Sequence, residues 1–214
     1  SFSIADAHHF TVLAGHEGVA NYSDALSASS DGLADDRLTN LQNGKQETYS
    51  VSESMSQSRF LSFFGRLDYS ILDKYYFDAS VRNDACSRFG ANNRNATFWA
   101  VGGMWKIKGE DFLYAVDAVN DLNFKVSYGT QGNASIGNYQ HLGLVSTASK
   151  YMDTGAKVLS QPSNPGLTWE QQALLTVGIN GRFFNMLDVN IEFYNRTTTD
   201  MLMDVPYNYT TGFS

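Results

Sequence analysis

"RFLSFFGRLDYSIL", residues 59–72, runs through Asp73-Lys74 into "YYFDASVRND", residues 75–84, and this stretch decides the fold. Leu61, Phe63, Gly65, Leu67, Tyr69 and Ile71 fall on one side of an extended strand, opposite Ser62, Arg66, Asp68 and Ser70. Beyond the turn, Tyr75, Phe77, Ala79 and Val81 again share an uncharged side, opposite Asp78, Ser80, Arg82 and Asp84. Two solvents fit such a ribbon. In a soluble sheet water wets the polar side and protein covers the other. In an outer-membrane barrel lipid covers the apolar side and water fills the inside.

The same period-two rule recurs along the chain. "TFWAVGGMWKIK" aligns Trp99, Val101, Gly103, Trp105 and Ile107, and "LNFKVSYG" sets Leu122, Phe124, Val126 and Tyr128 against Asn123, Lys125 and Ser127. "QQALLTVGINGRFF" sets Ala173, Leu175, Val177, Ile179 and Phe183 against Thr176, Asn180 and Arg182. "MLDVNIEFYNRT" sets Leu187, Val189, Ile191 and Phe193 against Asp188, Asn190, Glu192 and Arg196. A further strand with less regular faces covers "HHFTVLAGHEGVANYSDALSAS". About seven strands result, most near the ~9–11 residues a tilted strand needs to cross a bilayer. Turns at Asp73-Lys74 and Asn185 are tight, whereas 28–57 and 132–166 read as long polar loops, an asymmetry typical of outer-membrane barrels. "GEDFLYAVDAVND" carries Phe112, Val116 and Val119 at helical spacing and reads as one short helix. Tyr75, Tyr76, Phe77, Phe183 and Phe184 crowd the tight-turn end, as an interfacial girdle does.

Composition narrows the function. With 43% hydrophobic residues in 214 the chain is not disordered, and a formal net charge of −7 argues against a nucleic-acid partner. Cys86 is the single cysteine, so no internal disulfide forms, and it reads as an inert substitute for serine. No apolar run is long enough for a transmembrane helix, which leaves barrel strands untouched. "SFSIADAHHF" lacks signal-peptide features, so the expectation is a mature N-terminus or a start inside something larger. No metal is expected: His8 and His9 face opposite sides of a strand, and the loop acids Asp31, Asp35 and Asp36 lack the pattern of a calcium loop. Phosphate loops, nucleophile elbows and dinucleotide fingerprints are absent, so neither an enzyme nor a cofactor is expected.

"FFGRLDYSILDKYYFDASVRNDACSRFGANNRNATFWAVGGMWKI" resembles the barrel segment of the SusC/RagA family of TonB-dependent outer-membrane transporters, whose pattern FGR-x-x-Y-x-x-x-x-KY leads into R-x-D-G-S-S-R-F-G. "FKVSYGTQGNASIGNY", "NPGLTWEQQALLTVGIN" and "VNIEFYNRTTTDML" are similar to later strands of that family in the same order. Ala85-Cys86 replaces the family's Gly-Ser, a departure at the strand-to-loop corner. The resemblance implies an all-β fold: antiparallel up-and-down strands forming part of a transmembrane β-barrel, not closed on its own. Residues 1–214 are then expected to be a partial barrel domain, without the plug and without the closing C-terminal strand. The implied setting is the cell outer membrane of a Bacteroidetes-like bacterium. Implied partners are a SusD-like lipoprotein, the TonB complex acting through the plug, outer-membrane lipid, and an oligosaccharide or peptide solute.

On that reading Arg66, Asp68, Asp78, Arg82, Asp84, Arg182, Glu192 and Arg196 form a luminal polar wall that lines the solute path, holds the plug, or is joined by cross-strand salt bridges. Phe63, Leu67, Phe77, Trp105, Val177 and Ile191 face lipid, and Tyr139, Tyr151 and Trp169 are rim aromatics suited to stacking on a sugar or to a girdle role. The rival is a soluble secreted β-sandwich that binds carbohydrate through those rim aromatics. It requires a second sheet over the apolar sides.

Overall fold

The computed structural model describes residues 1–4, 7–35, 37–151, 154–206 and 208, with the side chains of 148–151 and 154–156 outside that description. Its main sheet is antiparallel throughout and follows the chain: β1 (Phe2–Ile4), β2 (His8–Ser29), β3 (Ser50–Ile71), β4 (Tyr75–Cys86), β5 (Asn95–Lys106), β6 (Val119–Asn133), β9 (Glu170–Phe183) and β10 (Leu187–Thr199). A separate hairpin, β7 (Leu144–Tyr151) with β8 (Thr154–Gln161), rises between β6 and β9. One helical turn, α1 (Asp111–Tyr114), lies in the connection from β5 to β6. The eight-stranded sheet ends at β1 and at β10, which do not pair with each other.

Two expectations change in extent. The sheet has eight strands where about seven were read, because the three-residue β1 is too short to show a period. The two long loops are also partly strand. "SVSESMSQS", residues 50–58, alternates serine strictly and pairs with residues 21–29, which leaves 30–49 as the β2–β3 connection. The second, 132–166, holds the β7–β8 hairpin, whose described side chains, 144–147 and 157–161, are exposed or half-exposed, so no buried face there imposes a readable period.

Register fixes the faces. Tyr69, Phe77, Gly103, Val126, Val177 and Phe193 lie level across β3 to β10, all on the apolar side. Tyr75, Trp105, Phe124 and Ile179 are also level, yet β9 continues four residues further to Phe183 before its turn. Between those two turns the rim therefore drops ~13 Å over a similar lateral distance, a strand tilt of ~40°. Outer-membrane barrels tilt by about 35–45°.

Both tight turns use left-handed backbone at two successive residues, Leu72 and Asp73, then Phe184 and Asn185, each closed by a backbone bond of 3.0 Å. Such hairpin turns match the strand twist. Stacked rings brace the same end of the apolar face: Phe2 on Phe10 at 5.0 Å, Phe10 on Tyr69 at 4.4 Å, and Tyr75 on Trp105 at 6.5 Å.

Buried side chains collect elsewhere. Cys86, Phe89, Phe98 and Trp169 form the core, joined by Phe60 and Leu167, on the polar face where the loop 87–94 and the segments 134–136 and 167–169 fold back over the sheet. The apolar face stays open. Phe63 is 56%, Phe77 52% and Ile191 68% exposed, Leu67 is exposed, and Trp105 and Val177 are half-exposed. Among the described residues the only other sheet is the β7–β8 hairpin, so the layer that a sandwich requires is not there.

Candidate functional site: the polar wall

Charged residues expected on one wall do lie on one face, and register joins most of them into three clusters. In the upper cluster Arg82 donates to Asp84 at 2.7 Å, to Glu17 at 3.1 Å and to the buried Ser62 hydroxyl at 3.0 Å. Its guanidinium also sits over the rings of Phe60 and Phe64, at 5.9 and 5.8 Å. Arg82 is thus held by three polar partners and two rings, with part of its side chain still exposed. In the middle cluster Arg66 pairs with Asp68 at 2.7 Å, and Asp78 stands directly across the strand from Asp68. Two opposed carboxylates repel, and Arg66 offsets that repulsion.

The third cluster spans β6, β9 and β10. Arg182 approaches Asp188 at 3.6 Å, beside Asp121, Lys125, Asn180 and Asn190 around an open depression of about 550 Å³. The Asn180 side-chain oxygen is buried there without a hydrogen-bond partner. Glu192 accepts from Asn190 at 3.4 Å, while Arg196 stays exposed with no ion pair among the described residues. Glu17, Ser62, Asp121, Lys125 and Asn180 were missed as site residues. Glu17 had a signal: it is two positions from Gly15 and Val19 in β2 and faces Ser62 across the β3 ladder, but β2 alternates poorly.

Glycines shape the wall. Asp78 lies across Gly102, Phe64 across Gly15, Phe98 across Gly132 and Glu192 across Gly178, each in space a Cβ would fill. The Asp78, Phe64 and Glu192 side chains therefore lie along the sheet, while Phe98 packs there beneath the loops.

Rim residues need one correction. Trp169 is at the loop end as expected, yet only 3% exposed, with Phe89 at 5.0 Å, Phe98 at 5.8 Å and its indole N–H donating to the Arg94 carbonyl at 3.1 Å. Its ring has no free face for a sugar. Sequence could not show this, because the covering residues come from β3, from β5 and from the loop 87–94. Tyr139 is half-buried, its hydroxyl accepting from the Gln57 N–H at 2.9 Å, and the Tyr151 side chain lies outside the described residues. His141 is tied by its Nδ1 to the Arg88 carbonyl at 2.9 Å. Of the loop acids, Asp35 is engaged by Arg37 at 2.6 Å and Asp36 lies outside the described residues. No cluster of three metal-ligating side chains occurs among the described residues.

At the tight-turn rim Glu110 gathers the polar tips of the girdle. It accepts from the Tyr75 hydroxyl at 2.7 Å, the Trp105 indole at 3.1 Å and Lys74 at 3.4 Å. The Tyr75 hydrogen bond first, then those of Trp105 and Lys74, hold its carboxyl below the ordinary carboxylate value. A lowered value stabilises the fold above the ordinary pKa of about 4.3, and the contribution fades as pH falls through the folded value. The full-length protein should therefore melt above its Glu110→Gln variant at neutral pH, with the gap closing below about pH 4. A gap independent of pH counts against an ionised Glu110.

The model of the family described as TonB dependent receptor-like, beta-barrel, matches residues 4–214. This chain belongs to that family. TonB-dependent receptor P26 of Formosa agariphila is 30% identical over 218 residues, covering 99% of this chain and 22% of that protein. TonB-dependent receptor SusC of Bacteroides thetaiotaomicron is 33% identical over 168 residues, 74% of this chain and 17% of that one. A solved structure of the RagAB peptide transporter overlays with a TM-score of 0.92 at 42% identity, covering 99% of this chain and 24% of its own. The chain thus spans about a sixth to a quarter of the relatives' length. It is an antiparallel portion of a SusC/RagA-type TonB-dependent receptor barrel of the outer membrane, and the relatives it matches are named as receptors and transporters.

Proposed function

We propose that the whole protein imports oligomeric nutrients across the outer membrane, driven by the TonB complex through a plug that residues 1–214 do not include. A SusD-like lipoprotein delivers the solute at the loop end. In this reading residues 1–214 are a partial barrel domain, and Arg66, Asp68, Asp78, Arg82, Asp84, Arg182, Glu192 and Arg196 line the passage or hold the plug, with Tyr139 and Tyr151 at its mouth. The carrying observation is the overlay on the RagAB peptide transporter at 42% identity across nearly the whole chain. It favours peptide fragments as the solute. The wall supports the same choice, because its paired charges of both signs match amide, ammonium and carboxylate groups better than neutral sugars.

A strain lacking the gene, complemented with the full-length copy, should regain uptake of labelled oligopeptides and not of labelled oligosaccharides. Uptake of oligosaccharides alone overturns the peptide reading, and rescue of neither overturns import. Arg182→Gln with Glu192→Gln, placed on the open third cluster, should lower peptide uptake several-fold while membrane levels of the protein hold. Unchanged uptake removes that cluster from the path.

A further inference from the structure

The apolar face ends at its loop side in a feature that neither the wall nor the girdle uses. Gly18 and Ala20 of β2, Leu61 of β3 and Ala85 of β4 share the outward face, and three of the four are small. A side chain at Gly18 would meet nothing within 4 Å. The result is a shallow cavity of about 390 Å³, mostly apolar, with Arg59 and Arg94 at its margin and no acidic residue in its lining.

Arg59 is held by its backbone and Arg94 by one edge of its guanidinium, and both residues stay exposed. β4 leaves the sheet at Cys86, and at that point the Arg59 N–H donates to the Ser87 hydroxyl at 2.9 Å while the Ser87 N–H donates to the Arg59 carbonyl at 3.0 Å. Arg94 donates its Nε to the Phe89 carbonyl at 3.4 Å. Neither guanidinium has a carboxylate at ion-pair distance among the described residues. The nearby acids Glu17 and Asp84 belong to the opposite face and are spent on Arg82.

Height identifies what meets these charges. From Ile71 at the tight-turn rim to Leu61 the outward residues of β3 are uncharged. Those ten residues rise ~33 Å along the strand, or ~25 Å across the membrane at ~40° tilt, the thickness of the apolar band of an outer-membrane barrel. Arg59 is the next outward residue, so it stands at headgroup level on the loop side. An arginine there can simply reach for water. Two arginines bordering one apolar hollow do more: they pair a phosphate site with a floor for an acyl chain.

We propose that Arg59 and Arg94, with the hollow of Gly18, Ala20, Leu61 and Ala85, hold a phosphorylated glycolipid of the outer leaflet, its phosphate on the guanidinium pair and one acyl chain on the small-residue floor. The inference rests on the membrane-facing sense of the apolar side and not on the solute. It is continuous with the lipid-facing band and is carried by charge complementarity, since guanidinium is suited to bidentate phosphate binding.

The test uses the full-length transporter in detergent, titrated with lipid A, dephosphorylated lipid A and phosphatidylglycerol, with bound lipid read by native mass spectrometry. Lipid A should be retained at least ~10-fold better by the unaltered protein than by Arg59→Gln/Arg94→Gln, and better than either comparison lipid. Gly18→Leu, which fills the floor and keeps both charges, should also weaken retention. Equal retention of lipid A and its dephosphorylated form, or no loss in either variant, overturns the site. Phosphatidylglycerol binding as well as lipid A overturns the glycolipid. The comparison of lipids on the unaltered protein stands even if a variant fails to fold, and peptide uptake in the same preparation tests import separately.

Discussion

Arginine at Val177 will destabilise the full-length barrel by about 2–4 kcal/mol, whereas arginine at Thr176, one residue away on the same strand, will cost less than about 1 kcal/mol. Val177 lies level with Val126 and Phe193 on the apolar face, six residues from the β9 turn, near the middle of the ~25 Å band. A guanidinium there cannot reach either headgroup region without deforming the bilayer. Thr176 pairs with Ser127 and Tyr194 on the water side, where a cation keeps its hydration. Denaturant unfolding in lipid vesicles measures both costs. Equal penalties, or a larger one at Thr176, would reverse the assignment of faces on which the reading as a barrel depends. The contrast has this size only if lipid, and not water or a second sheet, covers Val177.

Strands β3 to β6, β9 and β10 are legible in the sequence because each separates two unlike media. With apolar contact on one side and water on the other, period two is forced on every residue. Where that difference fades, so does the signal. The upper half of β2 and its partner 50–58 carry serine, alanine and asparagine toward the interior, with Tyr22, Leu26, Val51 and Met55 exposed on the other face above the bilayer. There serine alternates on the inner side, but no hydrocarbon keeps the outer side free of polar groups, where Asp24, Glu53 and Gln57 also sit, so the composition looks like loop. The wall itself is legible as a set, since any polar residue of correct parity belongs to it. Its pairings are not: Glu17 finds Arg82 across 65 residues, and only the β2–β3 and β3–β4 registers bring them together. The burial of Trp169 was hidden for the same reason. Its neighbours Phe89 and Phe98 come from β4–β5 and its indole partner Arg94 from the same connection, so nothing local to "TWE" announces a core.

Trp169→Ala is the second large effect, and it should be confined to the loop end. Trp169 is 3% exposed among Phe60, Phe89 and Phe98, so truncation removes most of the apolar contact that holds the segments 134–136 and 167–169 to 87–94. Deleting a buried Trp costs about 3–5 kcal/mol, here paid by local opening and not by the strands, which keep their ladders and their lipid. Polar ties that depend on the same closure should loosen together: Arg88 to the Asn138 side chain at 3.0 Å and the Ala134 carbonyl at 3.1 Å, Asn138 to Ser56 at 2.6 Å, and the Asn93 amide to the Leu167 carbonyl at 3.3 Å. Hydrogen exchange on the full-length protein should accelerate by a factor of a hundred or more across 87–94 and 134–142, following the lost free energy, with strands β4 and β5 below them little changed. Trp169→Phe separates the contributions. It keeps a six-membered ring among Phe60, Phe89 and Phe98 and loses the indole donor to Arg94 with the five-membered part of the ring, so about 1–2 kcal/mol of local protection should go. If Trp169→Ala speeds exchange across the strands as strongly as in the loops, the cluster is a keystone of the whole sheet. If neither variant changes the loops, their closure rests on the polar ties alone, and the aromatic core is incidental to the mouth of the barrel.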